Sequence, residues 1–220
     1  MPTFAFVFDM DGVIVDSNPY HKIALQQFCQ RLGFHLDEPA MIHHIYGRTN
    51  KEWIGNLLGS NISPEQLRQY ATEKELLYQE LYRAHIRPLA GLHEFLQLLV
   101  KQHIPRAIAT SAPRMNVDFT LHYTGLGSFF DVILDESHVQ HGKPHPEIYI
   151  KTAEALQLPP ERCIVFEDSL SGVAAAQAAG CKVVGVLTTH RAAELAHAHM
   201  TIKDFTNLQP EQIYCQINLS

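Results

Sequence analysis

A chain of 220 residues is the length of one domain, or of one domain carrying an insertion. With 46% hydrophobic and 18% charged residues it reads as a folded, soluble protein, which excludes a disordered chain. Its net charge of −6 argues against a broad nucleic-acid surface, and no apolar run reaches the roughly 18 residues of a membrane span.

The first element is the apolar run Phe4-Ala5-Phe6-Val7-Phe8, too short for a helix and cut off by Asp9. It is expected to be a strand buried on both faces, and with no basic residue before it, not a secretory leader. From Ser17 to His85 no strand pattern occurs. Helical patterns run over Asn18–Leu32 and Lys51–Leu58, and Ser63-Pro64-Glu65-Gln66 is a capping box expected to open a helix reaching about His85. The chain re-enters the core near Pro88-Leu89-Ala90-Gly91.

Beyond it, the strand patterns Arg106–Thr110, Cys163–Phe166 and Lys182–Val186, with a weaker one at Asp131–Leu134, alternate with helical patterns at Leu92–Gln102, Glu147–Leu156, Leu170–Ala179 and Ala192–Ala198. Gly180 is placed to close the third of these helices. This alternation predicts a doubly wound, Rossmann-like parallel sheet of the α/β class, residues 1–15 and 87–220, interrupted by a helical module over 16–86. The cysteines, Cys29, Cys163, Cys181 and Cys215, form no C-x-x-C pair and are read as reduced thiols of a cytoplasmic protein. The 14 histidines are scattered without an H-E-x-x-H motif, and a structural zinc site is not expected.

In open parallel sheets, ligands bind beyond the carboxyl ends of the strands. Here those ends read Asp9-Met10-Asp11-Gly12, Thr110-Ser111 and Glu167-Asp168-Ser169, with Asp131 and Asp135 flanking the weak strand. Four carboxylates converging on one crevice repel one another, and a hard divalent cation held by oxygens relieves this, Mg²⁺ best of all. A helix N-cap accounts for Asp168 alone but not for Asp9, which follows an unbroken apolar run. In the helical module, Leu67, Ala71, Lys74, Tyr78, Leu81 and His85 form one stripe, with Lys74 where an apolar residue is expected. Such a lysine either reaches a substrate anion or pairs with a neighbouring glutamate. His21 shares a face with Ala24, Leu25, Phe28 and Leu32, the usual setting of a core histidine. Trp53 and Tyr46 are assigned to core packing.

Taken together, Asp9-Met10-Asp11-Gly12-Val13-Ile14, Thr110, Lys143-Pro144 and Glu167-Asp168 resemble the haloacid dehalogenase superfamily in its motif order. The helical insertion resembles that superfamily's cap domain, and the nearest branch is that of β-phosphoglucomutase-like phosphatases and mutases. The resemblance implies a phosphatase acting on a small phosphorylated metabolite such as a sugar phosphate. Asp9 would be the nucleophile, Asp11 the general acid and base, and Lys143 and Thr110 would hold the phosphoryl group with Ser111. Asp9, Asp11 through its carbonyl, Glu167 and Asp168 would bind Mg²⁺. A carboxylate at Asp11 separates this chain from the dehalogenase branch, where a departing halide needs no proton, and from the phosphonatase branch, which also lacks it. Within the cap, the resemblance extends to His21, Gly47-Arg48-Thr49 and Lys74, implying that His21, Arg48 and Lys74 contact substrate. One departure favours a phosphatase over a mutase: where the mutases carry a polar loop for a second phosphate, this chain has Ala112-Pro113-Arg114, leaving only Arg114 to grip it. No nucleic-acid or membrane partner is expected, and the protein is expected to be a monomer or weak homodimer.

Overall fold

The computed structural model describes residues 4–45, 50–59 and 62–219. The chain divides into two compact units, Met1–Asp16 with Ile86–Ser220, and Ser17–His85. The insertion read from the sequence, 16–86, is one residue longer at each end.

In chain order, β1 (Ala5–Phe8) leads into the helical unit, which holds α1 (Asn18–Arg31), α2 (Glu38–His44), α3 (Asn50–Leu58) and α4 (Pro64–Tyr82). The rest of the larger unit follows as α5 (Leu92–Lys101), β2 (Arg106–Ala109), α6 (Arg114–Thr124), β3 (Val132–Leu134), α7 (Glu147–Ala155), β4 (Cys163–Glu167), α8 (Leu170–Ala178), β5 (Lys182–Val186), β6 (Met200–Ile202) and α9 (Pro210–Leu219). Among the described residues six strands, all parallel, form one sheet in the order β3-β2-β1-β4-β5-β6. In this order the chain reverses direction across the sheet beside β1, which opens a crevice at the carboxyl ends of β1 and β4. Phe8 pairs in register with Ile108 and with Phe166, so Asp9 leaves β1 level with the ends of both neighbours.

Alternation along β1 covers both faces of the sheet. Phe6 and Phe8 stack on Phe166 at 5.5 and 5.0 Å, and Phe95 of α5 and Phe205 close over them. Val7 points the other way and joins Ala107, Val165 and Val183 beneath Tyr149 and Ala153 of α7 and Val173 and Ala176 of α8. A strand with apolar cover on both sides needs an unbroken apolar run, which is what Ala5–Phe8 supplies.

In the smaller unit, α4 begins as the capping box requires. Ser63 Oγ accepts from the Gln66 amide at 3.2 Å, and Gln66 Oε1 accepts from the Ser63 amide at 3.1 Å. The helix ends at Tyr82 rather than near His85. Its buried face is Lys74, Glu75, Leu77, Tyr78 and Tyr82, against Ala24, Leu25, Phe28 and Cys29 of α1. The expected stripe is therefore right at Lys74 and Tyr78 and wrong at His85, which is exposed.

Two departures lie at the far edge of the sheet. Ala192–Ala198 is a series of turns, not a helix. Seven residues barely pass the nucleation cost of a helix, and here Glu194 turns back to accept from the Arg191 amide, while the His199 amide bonds the Val183 carbonyl and draws the chain into the sheet. That pull creates β6, whose three residues Met200-Thr201-Ile202 are too few to read as a strand from sequence alone. Cys29, Cys163 and Cys181 are buried free thiols and Cys215 is an exposed one. No described helix is long and apolar enough to cross a membrane.

Candidate active site

The loop after β1 is tied into a tight turn. The Met10 carbonyl accepts from the amides of Val13, Ile14 and Val15, and the Gly12 amide bonds the Val15 carbonyl at 2.7 Å. Gly12 has φ +80°, a left-handed conformation that a residue with a Cβ rarely adopts. Asp9 is buried at the strand end, and Asp11 is half-buried two residues on. Thr188 Oγ1 donates to the Gly12 carbonyl at 2.6 Å and ties this turn to the segment after β5.

Lys143 reaches this site from 134 residues away. Its ammonium donates to Asp9 Oδ1 at 2.7 Å, Glu167 Oε1 at 2.6 Å and the Ala109 carbonyl at 3.1 Å, which uses all three N–H bonds. The side chain is only 6% exposed. Burial works against its charge, but the two carboxylates outweigh burial and raise its pKa. Both oxygens of Glu167 are occupied. Oε1 also accepts from the Tyr149 hydroxyl at 2.7 Å, and Oε2 accepts from the amide and hydroxyl of Ser169 at 3.1 and 3.0 Å. Burial pushes Glu167 up, yet Lys143 and these donors hold it below the ordinary glutamate range. As arranged, Glu167 is a partner of Lys143.

The other carboxylates fare differently. Burial, then the charges of Glu167 and Asp168, lift Asp9 well above the usual range despite Lys143. Asp168 accepts from the Thr189 hydroxyl, and burial followed by Glu167, with Asp11 adding to the rise, pushes it up to about 7. Oxygens of Asp9, Glu167 and Asp168 lie within 4.8 Å of one another. One ammonium thus serves a cluster of three carboxylates, with the charge of Asp11 also felt at Asp168. The excess negative charge and the all-oxygen donor set fit a hard divalent cation of the Mg²⁺ kind. Asp168 is not the cap of α8; Ser169 is, accepting from the Gly172 amide at 3.0 Å.

The remaining expected residues are placed as follows. Thr110 is buried at the end of β2, its Oγ1 accepting from the Ala112 amide at 3.1 Å, and Ser111 beside it is exposed. Arg114 begins α6, 60% exposed, and bonds Asp118 at 2.8 Å along its own helix. In the helical unit, Lys74 is buried and pairs with Glu75 at 2.7 Å, the neighbouring-glutamate alternative. Its Nζ is also 3.5 Å from His21 Nδ1, and the His21 ring stacks on Tyr78 at 3.7 Å. Glu75 accepts in turn from Asn50, whose Oδ1 accepts from Trp53 Nε1 at 2.9 Å. Burial raises the Glu75 pKa, but Lys74 and His21 hold it low. Trp53 is buried. Tyr46, Gly47, Arg48 and Thr49 lie outside the described residues.

Tyr149, Ser169, Thr189 and Gly172 were not anticipated. Tyr149 looks like one more core aromatic of α7, and only Ser169, a capping type just before a helix, carried a local signal. Tyr149→Phe is expected to remove one hydrogen bond to a buried charge and lower stability by about 1.5–3 kcal/mol. A thermal melt checks this, and an unchanged melting temperature would show that Tyr149 does not hold Glu167.

Known proteins resemble this chain over most of its length. The family profile described as haloacid dehalogenase-like hydrolase matches residues 6–186. The phosphorylated carbohydrates phosphatase of Thermotoga maritima is 32% identical over 188 residues, 83% of this chain and 85% of that protein. The chloroplastic 5-amino-6-(5-phospho-D-ribitylamino)uracil phosphatase of Arabidopsis thaliana is 30% identical over 92% of this chain, which spans only 54% of that relative's length. Among solved structures, β-phosphoglucomutase from Clostridium difficile aligns with a TM-score of 0.84 and 27% identity, covering 99% of this chain and 98% of that one. An aspartate at the end of the first strand, a lysine bridging it to a glutamate, and a profile that runs through both place this chain in the haloacid dehalogenase-like hydrolase family.

Proposed function

We propose that this protein is a Mg²⁺-dependent phosphatase that hydrolyses a small phosphate monoester, a sugar phosphate, through an aspartyl-phosphate on Asp9. The observation that carries this is the Lys143 ammonium bridging Asp9 and Glu167 beside Asp168. Asp9 attacks phosphorus, Asp11 protonates the leaving oxygen, and Asp11 then takes a proton from the water that cleaves the acyl phosphate. Lys143 opposes the charge on the phosphoryl oxygens, and Thr110 and Ser111 hydrogen-bond them. Asp9, Asp168 and the Asp11 carbonyl would hold Mg²⁺, which supplies charge neutralisation to the phosphoryl group, while Glu167, its oxygens taken by Lys143, Tyr149 and Ser169, would hold Lys143 rather than the ion. His21 and Arg48 of the helical unit would contact the part of the substrate that does not react, with Lys74, paired to Glu75, placed beside His21. The carbohydrate phosphatase among the relatives supports a sugar phosphate as substrate.

The test is a panel of phosphorylated sugars assayed for phosphate release with Mg²⁺ and after exhaustive chelation. Release that needs Mg²⁺ is expected; full activity in chelator, with metal content checked, would overturn the metal requirement. The similarity to β-phosphoglucomutase favours a second reading, transfer of the phosphoryl group back to a bound sugar phosphate. Against it, Arg114 is engaged with Asp118 and its neighbours Ala112 and Pro113 have side chains that donate no hydrogen bond. With a bisphosphate primer present, β-glucose 1-phosphate is expected to yield inorganic phosphate faster than glucose 6-phosphate. Conversion to glucose 6-phosphate with little phosphate released would make the protein a mutase.

A further inference from the structure

We propose that His141, His145 and Glu147 form a second cation site, for a borderline divalent ion of the zinc type, on the segment that carries Lys143. One ligand atom from each of the three lies within 4.8 Å of the others. His141 Nδ1 and Glu147 Oε2 are 3.2 Å apart. A tetrahedral zinc with bonds of about 2.0–2.1 Å has ligand–ligand edges of about 3.3 Å, so this pair already has the spacing. The His141 and His145 rings sit 4.6 Å apart, and the Glu147 amide donates to His145 Nδ1 at 3.3 Å, which engages that nitrogen and leaves Nε2 as the ligand atom of His145.

The carboxylate is oriented as a ligand's should be. Glu147 Oε1 pairs with Lys151 at 2.7 Å, and Lys151 is anchored on the His138 carbonyl at 2.8 Å. The amides of Gln140 and His141 donate to the same carboxylate at 3.1 and 3.0 Å. Such outer partners fix the direction of a ligating group. Hydrogen bonds from Lys151 and then Gln140 lower Glu147 to about 2, so it is ionised wherever the imidazoles are neutral. Both histidines are exposed, so an ion reaches them without opening the fold, and water fills the remaining coordination positions.

The chemistry differs from that of the buried carboxylates. Two imidazoles and one carboxylate suit Zn²⁺ or Co²⁺, whereas Mg²⁺ takes oxygen ligands. Lys143 stands midway between the two histidines in the chain. An ion joining them restrains the segment that presents the ammonium to Asp9, and turnover slows.

The experiment uses tag-free protein in excess Mg²⁺. Co²⁺ is titrated by its visible absorption and Zn²⁺ by calorimetry, for the wild type and the double variant His141→Ala/His145→Ala. One equivalent bound with a tetrahedral Co²⁺ spectrum, displaced by Zn²⁺, is expected for the wild type. In the variant, affinity is expected to fall by more than about tenfold, since losing even an orienting partner costs about 10–100-fold. A melt confirms that the variant is folded. Equal affinity and spectrum in both proteins, or no binding by the wild type at hundreds of micromolar, would overturn the site. Zn²⁺ at saturation is expected to slow phosphate release by the wild type and spare the variant; equal inhibition would overturn the restraint on Lys143. Metal binding is read without turnover, so failure of the phosphatase reading leaves this result standing.

Discussion

Asp9→Asn is expected to lower phosphate release by at least about 10⁴-fold, the scale seen when a catalytic nucleophile is removed from an enzyme. The amide keeps the shape of the carboxylate and an oxygen that can accept from Lys143, but it cannot attack phosphorus. The fold is expected to survive. Burial, with Glu167 and Asp168, already disfavours the charge on Asp9, so losing that charge relieves repulsion while Lys143 keeps Glu167 as its counter-ion. Steady-state release from a nitrophenyl ester beside a thermal melt checks both halves. Turnover near the wild-type rate in a folded Asp9→Asn protein would remove Asp9 from the mechanism.

Gly172→Ala tests how the site is supported, and two effects of opposite sign compete. Replacing glycine by alanine inside a helix stabilises by about 1 kcal/mol on propensity alone. At this position, however, a Cβ would stand 1.8 Å from Glu167 Oε1 and 1.9 Å from its Cδ. The carboxylate cannot swing aside cheaply, because Lys143, Tyr149 and both donors of Ser169 hold it, and it is fully buried. Displacing one member of a buried ion pair costs about 3–5 kcal/mol, which exceeds the propensity gain. The variant is therefore expected to lose about 2–4 kcal/mol of stability, and to lose turnover as Lys143 parts from Glu167. Denaturant unfolding and phosphate release are the measurements. A variant as stable as the wild type would mean that Glu167 has another place to go.

What the sequence by itself determined is what short-range physics sets. Phe4 to Phe8 reads as a buried strand, Ser63-Pro64-Glu65-Gln66 opens a helix, and carboxylates ending the first strand and a later one point to the same edge of a parallel sheet, while only the strand order puts those two ends side by side. The motif order then pointed to the family, and with it to Lys143. The tertiary structure decided what depends on distant partners. Lys74 and Glu75 are adjacent in sequence, but only the packing of α4 on α1 buries both and makes the pair worth having. Ala192–Ala198 has helical composition, yet the free edge of β5 takes the chain that follows as β6. Tyr149 and Gly172 carry no local sign of their roles: one is an aromatic on a buried helix face, the other a glycine in a helix of small residues. Their roles arise around the Glu167 carboxylate at the end of β4, because a buried carboxylate needs donors on every side and room for its own atoms, and which helix residues supply them is settled only when α7 and α8 pack there.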